Sequence, residues 1–420
     1  MILDHNSRNV LHQNKPSRRS FPFRHLPPTA IRVEGQDLWQ GFVSLFQGQK
    51  PHETFRKAVM EYTHCSNCFL VSSGRAALTL IWLALKKLST RKRVILPAYS
   101  CPTVVQSILL AGLTPVFCDV LPANLGFDIP MLRGLINEDV LAIVPTYLYG
   151  YAQDITDILD LAHSRNIYVI EDAAQAFGAS FNGVMVGTLG EAGIYSMGRG
   201  KCIPTGHGGI IVAKQALSQA IIETSRELGF SIPRFDVTTF LLFMAYSIAT
   251  HPFGWWFVCR SPLNPAHEGM NIHSLPPIHL GTLSAVQSAI GHSILKRLEE
   301  IQETRLKNAL RLIDLLEKFD FISIPEVHPK AKPVFLRLPI ITKDEHLAEK
   351  LFQMLWKEGI GVSKSYYRTL PDLYKQTLLL DSEVKYPGAE CLANCLLTLP
   401  THAYLEEIDF VNISRVLDQL

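Results

Sequence analysis

The sequence predicts an α/β protein: a large domain built on a mostly parallel sheet with helices on both faces, then a smaller C-terminal α+β domain. Three observations predict it. From about Cys68 to Val212 short strands alternate with amphipathic helices. Several of those strands are apolar throughout, as strands buried on both faces are. A long helical stretch beginning near residue 290 then separates this run from a second strand–helix–strand pattern.

The elements follow in order. Phe69-Leu-Val-Ser-Ser reads as a strand, and Gly74 to Leu85 as the helix after it. Arg93-Val-Ile-Leu-Pro is a strand and Pro102 to Ala111 a helix opened by proline, which fits a first helical turn. Pro115-Val-Phe-Cys-Asp is a strand, Pro130 to Ile136 a short helix, and Val140-Leu-Ala-Ile-Val-Pro a strand. Asp154 to Ser164 has helical spacing, and Ile167-Tyr-Val-Ile-Glu-Asp is a further strand. Ile290 to Lys318 reads as one long helix. Beyond it, Lys332 to Leu338, Glu345 to Glu358 and Gly359-Ile-Gly-Val read as strand, helix and strand, and Leu405 to Leu420 as a closing helix. The expected organisation is an N-terminal arm at 1–48, a large domain at 49–290, and a linking helix with the small domain at 291–420. Ligands of such sheets bind beyond the carboxyl ends of the strands, where Gly74, Pro97 and Asp172 fall.

Composition narrows the class. Over 420 residues, 47% are apolar and 19% charged, as in a chain with a sizeable core, and the net charge of +2 gives no general reason for a nucleic-acid partner. Arg8, Lys15, Arg18, Arg19 and Arg24 make a basic start with no apolar run behind them, which is not a secretory signal and points to a cytoplasmic protein. Eight cysteines are scattered; Cys65-Ser-Asn-Cys68 lacks a second pair at zinc spacing, so the expectation is reduced thiols and no metal. One segment stands apart. Val237 to Cys259 carries no formal charge, yet His251, Pro252 and Gly254 interrupt it, which favours a bent helical pair over a single membrane span. Its apolar face is either buried at a subunit interface or rests on a membrane surface through Trp255 and Trp256.

The chemistry is concentrated around Lys201. This lysine lies in Tyr195-Ser-Met-Gly-Arg-Gly-Lys-Cys-Ile-Pro-Thr-Gly-His-Gly-Gly209, downstream of the acidic strand end Glu171-Asp172. Enzymes that use pyridoxal phosphate (PLP) need such a pair: a lysine to hold the aldehyde as a Schiff base, and a carboxylate to keep the pyridine nitrogen protonated. Four more features fit one site. Ser73-Gly74-Arg75 opens a helix after a strand and aims backbone N–H groups at an anion such as the cofactor phosphate. Gln175 is placed to donate to the phenolic oxygen, and Ser196 to reach phosphate with its hydroxyl. Thr205-Gly-His-Gly-Gly209 makes the turn that presents the lysine.

With these pieces in order, the chain resembles the DegT-type (DegT/StrS) nucleotide-sugar aminotransferases, a branch of the fold-type I PLP enzymes. The resemblance runs from about residue 50 to 420. It is carried by Val71-Ser-Ser-Gly-Arg-Ala-Ala-Leu, Val94-Ile-Leu-Pro-Ala-Tyr-Ser, Ala111-Gly-Leu-Thr-Pro-Val-Phe-Cys-Asp119, Tyr147-Leu-Tyr-Gly150, Glu171-Asp-Ala-Ala-Gln-Ala-Phe-Gly-Ala179 and the Lys201 segment. Tyr386-Pro-Gly-Ala-Glu and Leu399-Pro-Thr-His402 add to it. It implies a seven-stranded sheet and a homodimer. It also implies transfer of an amino group from L-glutamate to a keto-sugar nucleotide for surface polysaccharide or glycoconjugate synthesis. Lys201 would then be catalytic, and Gly74, Arg75, Asp172, Gln175, Ser196 and Lys201 would bind the cofactor. The chain departs from the family at several points. Arg75 stands where a threonine is usual, and either adds a charged phosphate contact or replaces a hydroxyl one. Cys101 stands where an aromatic ring usually lies against the cofactor, with Tyr99 as the candidate substitute. Tyr147 replaces a histidine, His207 sits between the glycines, and His279-Leu-Gly-Thr282 stands for Asn-Tyr-Arg, so that contact to the neighbouring subunit is lost or remade by His279. The lysine at 201, and not a histidine, disfavours the related sugar dehydratases. The competing readings are a fold-type I enzyme acting on an amino acid and a catalytically altered, membrane-associated homologue.

Overall fold

The computed structural model describes residues 23–231, 236–261, 277–380 and 383–420. Arg8, Lys15, Arg18 and Arg19 of the expected arm lie outside the described residues. The central sheet has seven strands in the spatial order Cys68–Val71, Gly209–Ala213, Ala192–Ser196, Tyr168–Asp172, Val140–Ile143, Arg93–Pro97 and Thr114–Cys118. The last five of these run parallel to one another, while Gly209–Ala213 is antiparallel to both neighbours. The reversal has a simple cause. A parallel neighbour needs a crossover long enough to return the chain, and the loop at 197–208 contains none. Val94, Leu96 and Ile170 face one buried layer, Ile95, Ile143 and Val169 the other. That two-sided burial is why these strands read as continuous apolar runs.

The second sheet has three antiparallel strands, Ile322–Ser323, Leu338–Thr342 and Leu396–Leu399, backed by helices Glu345–Lys357, Pro387–Cys395 and Glu407–Leu417. Three sequence expectations are corrected here. The strand expected at Lys332–Leu338 is divided: Ala331–Lys332 pairs with Ser180–Phe181, and the strand of the second sheet begins only at Leu338. Gly359–Val362 is not a strand: Gly361 passes so close to the backbone that an added Cβ would lie 2.3 Å from the Pro27 carbonyl oxygen. The expected Ile290–Lys318 helix is two helices, Ala285–Leu295 and Leu298–Leu316, broken where Arg297 takes non-helical torsions and reaches across to Glu34 and Asp37.

Side chains with long sequence separation tie the two sheets together. The Asp119 carboxylate accepts from the N–H groups of Gly388 and Ala389, both at 2.8 Å, and so anchors the start of the Pro387 helix to a strand end of the large sheet. Only glycine fits at 388, where a Cβ would lie 1.7 Å from the Val120 carbonyl oxygen. Arg24 makes a two-pronged contact with Asp409, and buried His402 donates from Nε2 to the Pro27 carbonyl at 2.9 Å.

That histidine carries a pH prediction. Burial, the largest cause, lowers its pKa from 6.5 to about 4. A base with a depressed folded-state pKa stabilises the fold fully above its unfolded value and less as pH falls toward the folded one. His402 is therefore expected to remove about 3 kcal/mol between pH 6.5 and 4. Thermal midpoints of wild type and His402→Gln measured across that range should converge on acidification. Parallel curves would show that this side chain is not the acid-sensitive group.

The uncharged segment forms two helices, Val237–Ala249 and Pro252–Val258, with His251 Nδ1 accepting from Phe253 N–H at the break. No helix among the described residues is long and apolar enough to cross a membrane. Leu242, Ile248 and Phe257 are 61%, 70% and 54% exposed. The two tryptophans are not the outermost groups: Trp255 and Trp256 are half-buried, and Trp256 packs edge-on against Phe23.

Candidate active site

Beyond the carboxyl ends of the large-sheet strands lies a cavity of about 230 Å³. Its wall brings together all six residues expected from sequence, Gly74, Arg75, Asp172, Gln175, Ser196 and Lys201.

Ser73 caps the helix Gly74–Leu88, its Oγ accepting from Ala76 N–H at 3.0 Å. Gly74 leaves bare backbone at that helix start; a Cβ there would stand 3.3 Å from Ser196 Cβ. The helix N-terminus and the Ser196 hydroxyl therefore share one corner of the cavity. Arg75 lines the same corner, with Nη1 donating to Gln106 Oε1 at 3.2 Å.

Asp172 ends the strand Tyr168–Asp172 and is buried. Its backbone is locked on both sides, donating to Pro145 O and accepting from Tyr147 N–H. Its carboxylate accepts from Ala174 N–H at 3.1 Å. Burial raises its pKa, against the opposing pull of that N–H and of the Lys201 charge. A buried carboxylate in this state gains from a cationic N–H partner. Glu171, one residue earlier on the opposite face, is held by Tyr147 Oη and the N–H groups of Gly187, Leu189 and Gly190. That satisfied buried network fixes the strand end that presents Asp172. Gln175 Oε1 accepts from Tyr149 N–H at 3.2 Å, which leaves its amide NH₂ as the donor for the cavity.

Lys201 sits in a loop closed on itself by Met197 N–H to Gly208 O and Thr205 N–H to Met197 O, both at 2.9 Å. Gly200 before it has φ +71°, and a Cβ there would lie 2.5 Å from Thr29 Cγ2, so both its torsion and its surroundings require glycine. Its N–H donates to Tyr246 Oη at 3.3 Å. Burial, first of the causes, lowers the Lys201 pKa, with Arg337 adding in the same direction and Asp172 opposing. The lowered value favours a neutral amine, the form that acts as nucleophile and base.

The departures from the family pattern are resolved unevenly. Tyr99 does not line the cavity: it is buried behind it, its hydroxyl 3.4 Å from that of Tyr149 and its ring edge-on to Tyr366. Cys101 and Tyr366 are on the wall instead. Arg199, two residues before the lysine, is exposed and not part of the wall. His207 lines the cavity mouth, held by Gln287 Nε2 at 2.9 Å from its Nδ1. Ser72 N–H and Oγ bind the carbonyls of Gly281 and His279, so the His279 segment packs on the large sheet's edge. Sequence reading also missed Ser100, whose buried Oγ on the wall has no hydrogen-bond partner. Its signal was the position three residues beyond a strand end.

The fold is shared with a solved aminotransferase: the structure superposes on Helicobacter pylori PseC, an aminotransferase involved in the biosynthesis of pseudoaminic acid, with a TM-score of 0.75 at 21% identity, covering 94% of this chain and 99% of that one. The chain belongs to the DegT/DnrJ/EryC1/StrS aminotransferase family, whose model matches residues 43–418. It is 28% identical over 304 residues, 70% of the chain, to the lipopolysaccharide biosynthesis protein RfbH of Salmonella typhimurium, of which the match spans 66%, just under two thirds. It is 27% identical to the GDP-perosamine synthase of Caulobacter vibrioides, covering 87% of this chain and 89% of that one.

Proposed function

We propose that this protein is a PLP-dependent aminotransferase that moves an amino group from L-glutamate to the ketone of a nucleotide-linked sugar, for surface polysaccharide or glycoconjugate synthesis. One observation carries the reading: the amine of Lys201, the carboxylate of Asp172, the free end of the Gln175 amide and the helix start at Gly74 beside Ser196 all face one cavity. The donor set suits the cofactor. The Gly74 helix start and the Ser196 and Ser100 hydroxyls offer N–H and O–H groups to a phosphate, Asp172 offers an anion to a ring N–H, and Gln175 a donor to a phenolic oxygen. When bound, PLP supplies an aldehyde and an electron-withdrawing ring. Lys201 Nζ supplies the amine that the aldehyde needs, and takes and returns the proton at the carbon bearing the amino group. Asp172 holds the ring-nitrogen proton in place. Arg75, tied to Gln106, contributes positive potential at the phosphate corner.

Incubating the PLP-loaded protein with ¹⁵N-labelled glutamate and a panel of keto-sugar nucleotides tests this by mass spectrometry of the sugar product. Label in an aminosugar nucleotide is the expected outcome. Label passing only to 2-oxo acids would favour the amino-acid reading.

The same reading includes partners and place: a cytoplasmic homodimer that makes peripheral membrane contact through residues 237–259. It is supported by the exposed apolar side chains there, continuous with Phe42 through the Phe42–Phe240 ring contact. Sedimentation should give a dimer at micromolar concentration, and a stable active monomer would exclude that. Vesicles of anionic lipid should carry the wild type in flotation and release Ile248→Asp/Phe257→Asp. Wild type left unbound by anionic and neutral vesicles alike would assign the face to packing between subunits.

A further inference from the structure

The uncharged helix Val237–Ala249 has two faces. Leu241, Leu242, Ala245 and Ile248 are exposed, while Thr239, Phe243, Tyr246 and Thr250 form the buried stripe that helical spacing brings to one side. The aliphatic hydroxyls near Tyr246 bond to the helix's own backbone: Ser247 Oγ donates to Met244 O at 2.7 Å, and Thr250 Oγ1 to Tyr246 O at 3.0 Å. The Tyr246 hydroxyl does not. It leaves the helix and accepts from Gly200 N–H at 3.3 Å, one residue before the lysine. Gly200 also presents its carbonyl to Thr29 Oγ1 at 3.5 Å. The second apolar helix grips the same N-terminal stretch, Pro252 O accepting from His25 N–H at 3.2 Å and Trp256 packing edge-on against Phe23.

The bonds within the lysine turn leave one thing open. Lys201 N–H donates to Gly198 O at 3.2 Å, and the bonds of Met197 close the turn on Thr205 and Gly208. These set the shape of the turn but not the direction in which its tip leans. Gly200, at φ +71°, has no side chain with which to pack. Its direction is held from outside, by Tyr246 on its N–H and Thr29 on its carbonyl. We propose that Tyr246 is a positioning residue for Lys201: its hydroxyl holds the Gly200 peptide so that Nζ points at the cofactor aldehyde, and the apolar helix carries it there. The proposal rests on the aminotransferase reading above. It gives the inner face of the helix a role independent of whatever covers the outer one. A tyrosine that only supports the fold would matter whether or not the amine is present, whereas a positioning one acts through the amine and its effect vanishes with it.

The test is a double-mutant cycle read by PLP binding. Tyr246→Phe, which keeps the ring and removes the hydroxyl, is made alone and together with Lys201→Ala, and PLP is titrated into the cofactor-free proteins by equilibrium dialysis. With the lysine present, the phenylalanine variant is expected to bind PLP about tenfold more weakly and to develop the visible band about tenfold more slowly at saturating PLP. In the Lys201→Ala background the same change should leave PLP affinity unchanged. In turnover, kcat should fall about tenfold with KM for glutamate unaltered. Thr29→Val removes the hydroxyl on the other side of the same glycine and should show the same lysine-dependent pattern at about threefold; it decides the matter if the phenylalanine variant does not fold. A loss of PLP affinity equal in both backgrounds, or a lowered melting point with affinity and kcat unchanged, would overturn the proposal. Wild-type protein that takes up no PLP, or shows no lysine-dependent band, would instead count against the aminotransferase reading itself, and the proposal would fall with it.

Discussion

Lys201→Ala is expected to abolish amino transfer, by at least about 10⁴-fold, while the protein stays folded. Among the described residues no other amine lines the cavity, so none of them replaces Nζ either as the group that meets the cofactor aldehyde or as the base that moves the proton. The surrounding loop does not depend on the side chain: its closing bonds are backbone to backbone, Met197 to Gly208 and Thr205 to Met197, and Gly200 is held by Tyr246 and Thr29. Far-ultraviolet dichroism should therefore match wild type, while the visible band above 400 nm (roughly the range of a protonated imine of this cofactor) should be absent. A variant that keeps either the band or turnover would remove Lys201 from its role.

Asp172→Asn is expected to be the second most damaging single change, with a loss of about 10²- to 10³-fold in kcat. The amide is nearly the same shape and keeps the contact from Ala174 N–H through its oxygen, but it carries no charge to hold a proton on a ring nitrogen. Stability should move the other way. Burial raises the Asp172 pKa in the cofactor-free protein. An acid raised in the folded state costs stability as pH climbs from its unfolded value through its folded one. Above that window the cofactor-free Asn variant should melt no lower than wild type, and PLP should stabilise wild type more than the variant. Near-native turnover in Asp172→Asn would take the carboxylate out of the mechanism. A lower melting point of the cofactor-free variant would show that the carboxylate is structural.

The contrast between these two residues and those around them shows what a linear pattern can carry. Asp172, Lys201, Ser73 and Gly74 were legible because each is fixed by its own stretch of chain. A carboxylate ends an apolar strand, a lysine stands in a glycine turn, and a serine caps a helix that follows a strand. The bent pair at 237–259 was legible too, since proline after an uncharged run breaks a helix wherever the run lies. The linking helix was misread as continuous because its heptads are apolar on either side of Arg297, and the break is made by contacts to Glu34 and Asp37, some 260 residues away.

The sequence by itself therefore determined the fold class, the run of strands and helices in the large domain, and the residue types that surround the cavity. Tertiary structure alone decided which side chains face it. Tyr99 and Cys101 are two residues apart, yet the ring turns into the packing against Tyr149 and Tyr366, and the thiol forms part of the wall. Tyr366 reaches the site from the small domain, and Tyr246 reaches the lysine turn from the apolar helices. Local propensity specifies torsions along the chain, whereas the direction of a side chain across a cavity is set by what packs behind it, and that comes from segments far away in sequence.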